Sequence, residues 1–302
     1  MYRNFKPVDL LSIVFISFMI AVTFLALPRL PHGGWIIARY IALMAVLVII
    51  SRCAGHHDSA NWTRTLHAFL PVMLIPILFN SMGDVIPWIW PHYFDDLLIS
   101  IDYSLFRSNH PTVLLEQFIY PWLTTIMQFA YISYYPMALV LGVVLYINNA
   151  KKSAFDEAIF GIFLCFYLSY LGYLLVPAVG PRFTLAHLQN HDLAASQLVV
   201  AIQDTLNTLE NTKTDAFPSG HTAVALMTLY YALKFRERVL TALLIPAVAG
   251  LMVSTVYLRY HYVIDVIAGI ALTVLTVYLA PPLLALLSRA AGHPRDQLHH
   301  PS

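Results

Sequence analysis

Residues 261–287 read HYVIDVIAGIALTVLTVYLAPPLLALL. From Tyr262 to Leu287 the run is almost wholly apolar, and it is longer than the roughly 20 residues that a helix rising 1.5 Å per residue needs to cross the hydrocarbon of a bilayer. Yet it opens on His261 and Asp265, which share a face if a helix begins there. An ionisable group beside hydrocarbon carries a high desolvation cost and is kept mainly where it has a task or a partner. This stretch therefore sets both the class of the protein and the place to look for its chemistry.

The whole chain has the same character. Of 302 residues 59% are hydrophobic and 11% charged, and the mean hydropathy is +0.69, far from a soluble composition. Apolar runs occur at Val8 to Leu27, Trp35 to Ile50, Leu66 to Ile86, Tyr120 to Ile147, Phe155 to Val176, His221 to Leu233, Leu240 to Leu258 and Tyr262 to Leu287. These predict an all-α, polytopic membrane bundle of about eight spans, a single membrane domain over residues 1–302 with its catalytic core at about 155–288. Pro136 predicts a kink in the fourth run, and Pro71 and Pro76 bends in the third. The first run follows Arg3 and Lys6, but its length and the Pro28-Arg29-Leu30-Pro31 sequence predict an uncleaved span, not a signal peptide.

With 17 Lys+Arg against 16 Asp+Glu the net charge is +1, which leaves no cationic excess to hold a nucleic acid. Cys53 and Cys165, the only cysteines, lie in unlike surroundings and suggest neither a disulfide nor a metal site. Cytoplasmic loops collect Lys and Arg. With the amino terminus inside, Arg3, Lys6, Arg52, Arg64, Lys151, Lys152, Lys234, Arg236, Arg238, Arg289 and Arg295 fall inside, and Arg29, Arg39, Arg107, Arg182, Lys213 and Arg259 outside, eleven against six. Both termini are then cytoplasmic and the polar motifs extracytoplasmic.

Two external segments stand out. In residues 87–119 the apolar Phe94, Leu97, Leu98, Ile101 and Leu105 recur at helical spacing among Asp95, Asp96, Asp102 and Arg107, which predicts an amphipathic helix on the outer interface. Trp88, Trp90, Tyr93 and Trp122 suit a headgroup-level aromatic belt. This helix is either a covering element or a wall of the substrate site with its aspartates facing a headgroup. The loop Gly180 to Pro218 is polar, with a short amphipathic helix expected over Ser196 to Leu209, and 292–302 reads as a mobile tail.

The chemistry concentrates in two strings. Phe217-Pro218-Ser219-Gly220-His221 opens a helix whose unpaired N–H groups attract an anion, and His221 on its first turn can protonate a leaving oxygen. His261 and Asp265 form an oriented nucleophile or, equally, an oriented base. Arg182, Arg259 and Lys213 are nearby cations for phosphate oxygens. His32, His67, His92 and His187 lack such a context and read as structural or solvated.

The residues resemble the type 2 phosphatidic acid phosphatase superfamily. Pro218-Ser219-Gly220-His221 meets its second motif, and Ser254, His261, Asp265 and Gly269 meet most of the third. Where the family carries an arginine after the serine this chain has Thr255; its usual lysine is Leu175 and its proline Phe183. Val176-Pro177-Ala178-Val179-Gly180-Pro181-Arg182-Phe183 and the segment from Ser254 to Tyr262 look more like the inositol phosphorylceramide synthase branch and its bacterial relatives. The resemblance implies that His261 becomes phosphorylated, Asp265 orients it, His221 is the acid, and Arg182, Ser219, Gly220, Arg259 and Lys213 hold the phosphate. It also implies a phosphorylated lipid as substrate, water or an alcohol as acceptor, no metal or other cofactor, and a bacterial inner (plasma) membrane. A membrane transporter of an anionic solute or lipid, which would use the same polar cluster as a binding site, is the alternative class.

Overall fold

The computed structural model describes residues 5–55, 60–193, 205, 208 and 212–292. The helix expected over Ser196 to Leu209 and the tail lie almost wholly outside them. The regular elements described are helices, with one isolated parallel bridge between Ala178 and Asp215.

The chain begins with α1 (Pro7–Ala26), α2 (Gly33–Ala54) and α3 (Asn61–Gly83). Pro7 occupies the first turn of α1, where a missing N–H costs nothing, and Asp9 closes that turn by accepting the Lys6 amide at 2.7 Å. The same Asp9 oxygen accepts His67 Nε2 of α3 at 2.7 Å, so His67 has a structural partner. Short helices α4 (Ile86–Ile89), α5 (Asp95–Leu105) and α6 (Pro111–Leu114) lead to α7 (Pro121–Ile132) and α8 (Tyr134–Ile147). Then come α9 (Lys152–Leu175), α10 (Pro181–Thr184), α11 (Gly220–Lys234), α12 (Arg238–Tyr257) and α13 (Val263–Ala290). The axis is α9, buried along most of its length and packed by α1, α3, α8, α11 and α13.

Among the described residues six helices are long and apolar enough to cross a membrane: α1, α2, α3, α9, α12 and α13. The pair α7 and α8, bent by 40°, makes a seventh if counted as one span. The bend falls at Ser133 and not at the expected Pro136, which sits in the first turn of α8 where its ring removes no hydrogen bond. Nor do Pro71 and Pro76 divide α3, which is one helix. The run expected as the sixth span is α11, only 15 residues. At about 22 Å it is shorter than the ~30 Å hydrocarbon and is enclosed by α8, α9, α12 and α13.

One end of the bundle is fastened by ions. Lys6 pairs with Asp156 at 2.7 Å and Lys151 with Glu237 at 2.5 Å, and Lys234 pairs with Glu157. His221 and His261 are at the opposite end, as the alternation of helices requires. There α5 buries both polar and apolar side chains and exposes both. Asp95, Leu98 and Asp102 are buried, while Leu97, Tyr103 and Leu105 are exposed. Asp95 and Asp102 point into the protein, toward partners described below, and Asp96 is exposed.

Candidate active site

His261 owes its position to the end of α12. Arg259 N donates to the Val256 carbonyl at 3.0 Å and Tyr260 N to the Thr255 carbonyl at 2.9 Å, with Arg259 in the left-handed region at φ 67°. This is a Schellman termination, which favours glycine at the position Arg259 takes. Thr255 thus serves through its backbone, and its hydroxyl donates to Met252 O at 2.8 Å. His261 comes two residues later and α13 begins at Val263.

The amino terminus of α13 is closed by carboxylates. Asp265 Oδ2 accepts Tyr262 N at 2.7 Å. Asp102 of α5 accepts Val263 N at 2.8 Å and Ile264 N at 2.9 Å, placing a second carboxylate at the positive end of the helix dipole. Burial pushes the Asp102 carboxyl up from the usual carboxylate range, and its two amide donors oppose that. Asp95 accepts the amides of Val179 and Gly180 and the Tyr262 hydroxyl, at 3.0, 2.9 and 2.9 Å. Gly180, at φ 87°, passes so near Tyr260 O that a Cβ there would lie at 2.5 Å. Asp95 and Asp102 of α5 therefore fasten the site loop and α13, while Asp96 is exposed.

The other string starts α11. Ser219 is its N-cap: its Oγ accepts Thr222 N at 3.3 Å, and its own amide donates to Asp265 O at 2.9 Å, which ties α11 to α13. That approach depends on Gly269, where a Cβ would stand 2.6 Å from Ser219 O. The Phe217-Pro218 peptide is cis.

These terminations bring the two histidines together. His221 Nδ1 lies 3.2 Å from His261 Nε2. His261 Nδ1 lies 2.8 Å from the Ala216 carbonyl and 3.5 Å from Asp265 Oδ2. A carbonyl can only accept, so Nδ1 carries the proton and Nε2 of the neutral ring carries the lone pair. His221 Nδ1 must then donate to it, and His221 Nε2 accepts from the Tyr131 hydroxyl at 3.0 Å. The order Tyr131, His221, His261, Ala216 is the one consistent direction of donation. Asp265 Oδ1 is buried with no hydrogen-bond partner.

A cavity of about 50 Å³ adjoins the pair, lined among others by Arg182, Lys213, Asp215, His221 and His261. The Arg182 guanidinium lies 5.7 Å over the Tyr260 ring, and that ring stacks on Tyr131 at 4.5 Å, so an aromatic pair sets the cation relative to His221. Tyr134 flanks the other side of His221, with centroids 4.6 Å apart. The bend between α7 and α8 is what puts Tyr131 and Tyr134 against the same imidazole.

Of the residues singled out in the sequence, His221, His261, Asp265, Arg182 and Lys213 converge. Ser219 is fully buried beneath the cleft as a cap, and Gly220 lies on the apolar side of His221. Arg259 is placed elsewhere. Its side chain is 8% exposed and donates to Glu116 at 2.8 Å, Gln189 Oε1 at 3.0 Å and His191 O at 2.7 Å. Burial lowers its pKa, and the nearby Glu116 works against that. Its charge is spent on a buried pair because the left-handed turn throws the side chain away from the cleft. Leu175, where a lysine was expected, is 64% exposed on the bundle's flank. Tyr131, Tyr134, Tyr260, Glu116 and the inward roles of Asp95 and Asp102 were not legible in advance, since each acts on a residue some 84 to 167 positions away or across a stack. No group of three or more His, Cys, Asp or Glu side chains among the described residues is placed to hold a metal ion.

A PA-phosphatase related-family protein of Dictyostelium discoideum is 24% identical over 216 residues, which cover 65% of this chain and 38% of that protein. The chain thus spans well under half the length of that relative. No solved structure matches. Residues 96–279, more than half of the chain and including both histidine strings, match the PAP2 superfamily, and the chain belongs to that superfamily.

Proposed function

We propose that this protein is a metal-independent membrane phosphatase or phosphotransferase that acts on a phosphorylated lipid through a phosphohistidine at His261. The observation that carries the reading is the Ala216 carbonyl at His261 Nδ1, which leaves the Nε2 lone pair at the cleft. In the first displacement Nε2 attacks phosphorus, the P–N bond forms and the P–O ester bond breaks. His221, neutral in the resting site, takes up a proton as the phosphate enters, its Nε2–H then donating to the Tyr131 oxygen, and as the imidazolium gives its Nδ1 proton to the leaving oxygen. In the second, His221 takes a proton from water or an acceptor alcohol, whose oxygen attacks phosphorus and frees His261. Arg182 and Lys213 hold the phosphoryl oxygens as charge gathers, with the first turn of α11 at Ser219 and Gly220 beside them; Arg259 acts from its pair with Glu116 by shaping the turn. Asp265 orients His261.

The proposal keeps the catalytic core at about 155–288 within one membrane unit. It places both termini in the cytoplasm of a bacterial cell and the cleft on the outer side, on the eleven-to-six distribution of basic residues. The test is acid-stable trapping in reverse: purified protein is incubated with a phosphate ester labelled on phosphorus and quenched in alkali. Label on a peptide containing His261, absent in His261→Gln, is the expected result. Turnover by His261→Gln at the wild-type rate refutes the assignment. Mass spectrometry of the products separates free phosphate from a new phosphodiester lipid, hence water from alcohol as acceptor.

A further inference from the structure

Behind His221 lies a second and much larger cavity, of about 560 Å³. It runs between α3 and α8 over the face of α9, and its far walls are Val72 of α3 and Ile159, Ile162 and Phe163 of α9. Its polar groups gather at one end, where His221, Asp215 and the tyrosines Tyr134 and Tyr173 line it. His221 and Asp215 also line the polar cleft. The two cavities therefore meet at the catalytic imidazole, one carrying cations and the other hydrocarbon.

Three features bear on what the larger cavity takes. Its volume lies within the range of pockets that enclose a whole small ligand, roughly 300–1,000 Å³. An apolar cavity of such size does not fill with ordered water, because its walls offer too few hydrogen-bond partners. From Ile159 to Tyr173 the lining of α9 extends about 21 Å, more than the ~15 Å of hydrocarbon in one leaflet. Pro76, Tyr135 and Leu139 line it and are also exposed on the bundle's flank, so it opens sideways where lipid would be. Along α3 and α9 beyond the lining residues Val72 and Ile159, Phe69 packs on Tyr146 at 5.2 Å and on Phe155 at 5.8 Å, and the Tyr146 hydroxyl bonds Thr65 Oγ1 at 2.9 Å.

We propose that this chamber holds a single hydrocarbon chain of the lipid phosphate, entered from the bilayer between α3 and α8, with the phosphate end at His221 and the chain end stopped by Phe69 and Tyr146. The inference deepens the phosphohistidine reading and rests on it for the headgroup end alone. The wall supplied by α3 precedes residue 96, outside the matched family segment, so this half of the chamber belongs to the amino-terminal portion of this chain. Selectivity follows for phosphates carrying one long unbranched tail over short or bulky ones.

Two measurements test it. In the first, kcat/KM is compared for hexadecyl phosphate and butyl phosphate in wild type, Val72→Trp and Ala138→Trp, which fill the chamber from opposite walls. The expected result is a long-over-short ratio at least tenfold lower in both variants; an unchanged ratio in a folded variant overturns the proposal. In the second, a long-chain alkyl phosphate with a diazirine at its chain end is photolysed with His261→Gln, where no turnover is needed. Labelling of α3 and α9 peptides near Phe69 and Phe155, suppressed by Ala138→Trp, supports the chamber even if wild type releases no phosphate from any ester, an outcome that would sink the enzymatic reading alone. Labelling confined to the outer flanks of α1 and α2 overturns the chamber whatever the activity.

Discussion

His221 Nδ1 donates to His261 Nε2 across 3.2 Å, so the resting site occupies its own nucleophile with its own acid. A phosphoryl group reaches Nε2 only by taking the place of His221 there. The roles of the two rings then separate by leaving group. His221→Ala is expected to slow release of an alkyl alcohol by about 10²–10⁴-fold and that of p-nitrophenol, which departs without a proton, far less. His261→Gln is expected to abolish both. Equal losses in His221→Ala for the two esters would contradict the acid assignment.

Tyr131 tests the direction of donation. Its hydroxyl supports His221 Nε2 at 3.0 Å, and a neutral hydrogen bond contributes about 1 kcal/mol net. Tyr131→Phe keeps the ring stacked on Tyr260 and removes only the donor. We expect kcat to fall roughly fivefold with KM nearly unchanged, since Arg182 and its aromatic support remain. A rise in KM with kcat intact would mean that Tyr131 binds substrate instead.

Asp102 is the remote cap of α13. Asp102→Ala leaves the Val263 and Ile264 amides without the carboxylate that accepts both, and hydrogen bonds to a charged group are individually worth ~1.5–3 kcal/mol. A loss of about 2–4 kcal/mol is expected, seen as a lower thermal midpoint in detergent, with Asp102→Asn in between. A midpoint equal to wild type would return α5 to the role of a simple cover.

Legibility in the sequence divides along a physical line. The spans, the two histidine strings and Asp265 were readable because composition and i, i+4 spacing are local properties. The face of α5 was not: the spacing of leucine and aspartate gives the period of a helix but not that Asp95 and Asp102 would be buried beside Leu98 as acceptors for distant amides. Arg259 misled because sequence places it next to His261, while a left-handed turn sends its side chain to Glu116. The bend at Ser133 was assigned to Pro136 because proline is the visible breaker, although in a first turn it breaks nothing.

The Glu116–Arg259 pair supplies a separate test. Both side chains are less than a tenth exposed, and removing one partner of a buried pair typically costs 3–5 kcal/mol by stranding the other charge. Glu116→Ala should therefore destabilise more than Glu116→Ala combined with Arg259→Met. A double-mutant cycle on thermal unfolding measures this; additive losses would show that the pair is not coupled.

The ion pairs at the far end of the bundle have a mechanical consequence. Lys234 to Glu157 and Lys151 to Glu237 anchor the foot of α11 and the turn after it, while His221 rides on its head. Held at its foot by these pairs and at its head by the Ser219 amide on Asp265 O, a helix too short to span the bilayer is fixed at both ends, which keeps the His221 imidazole in register with His261.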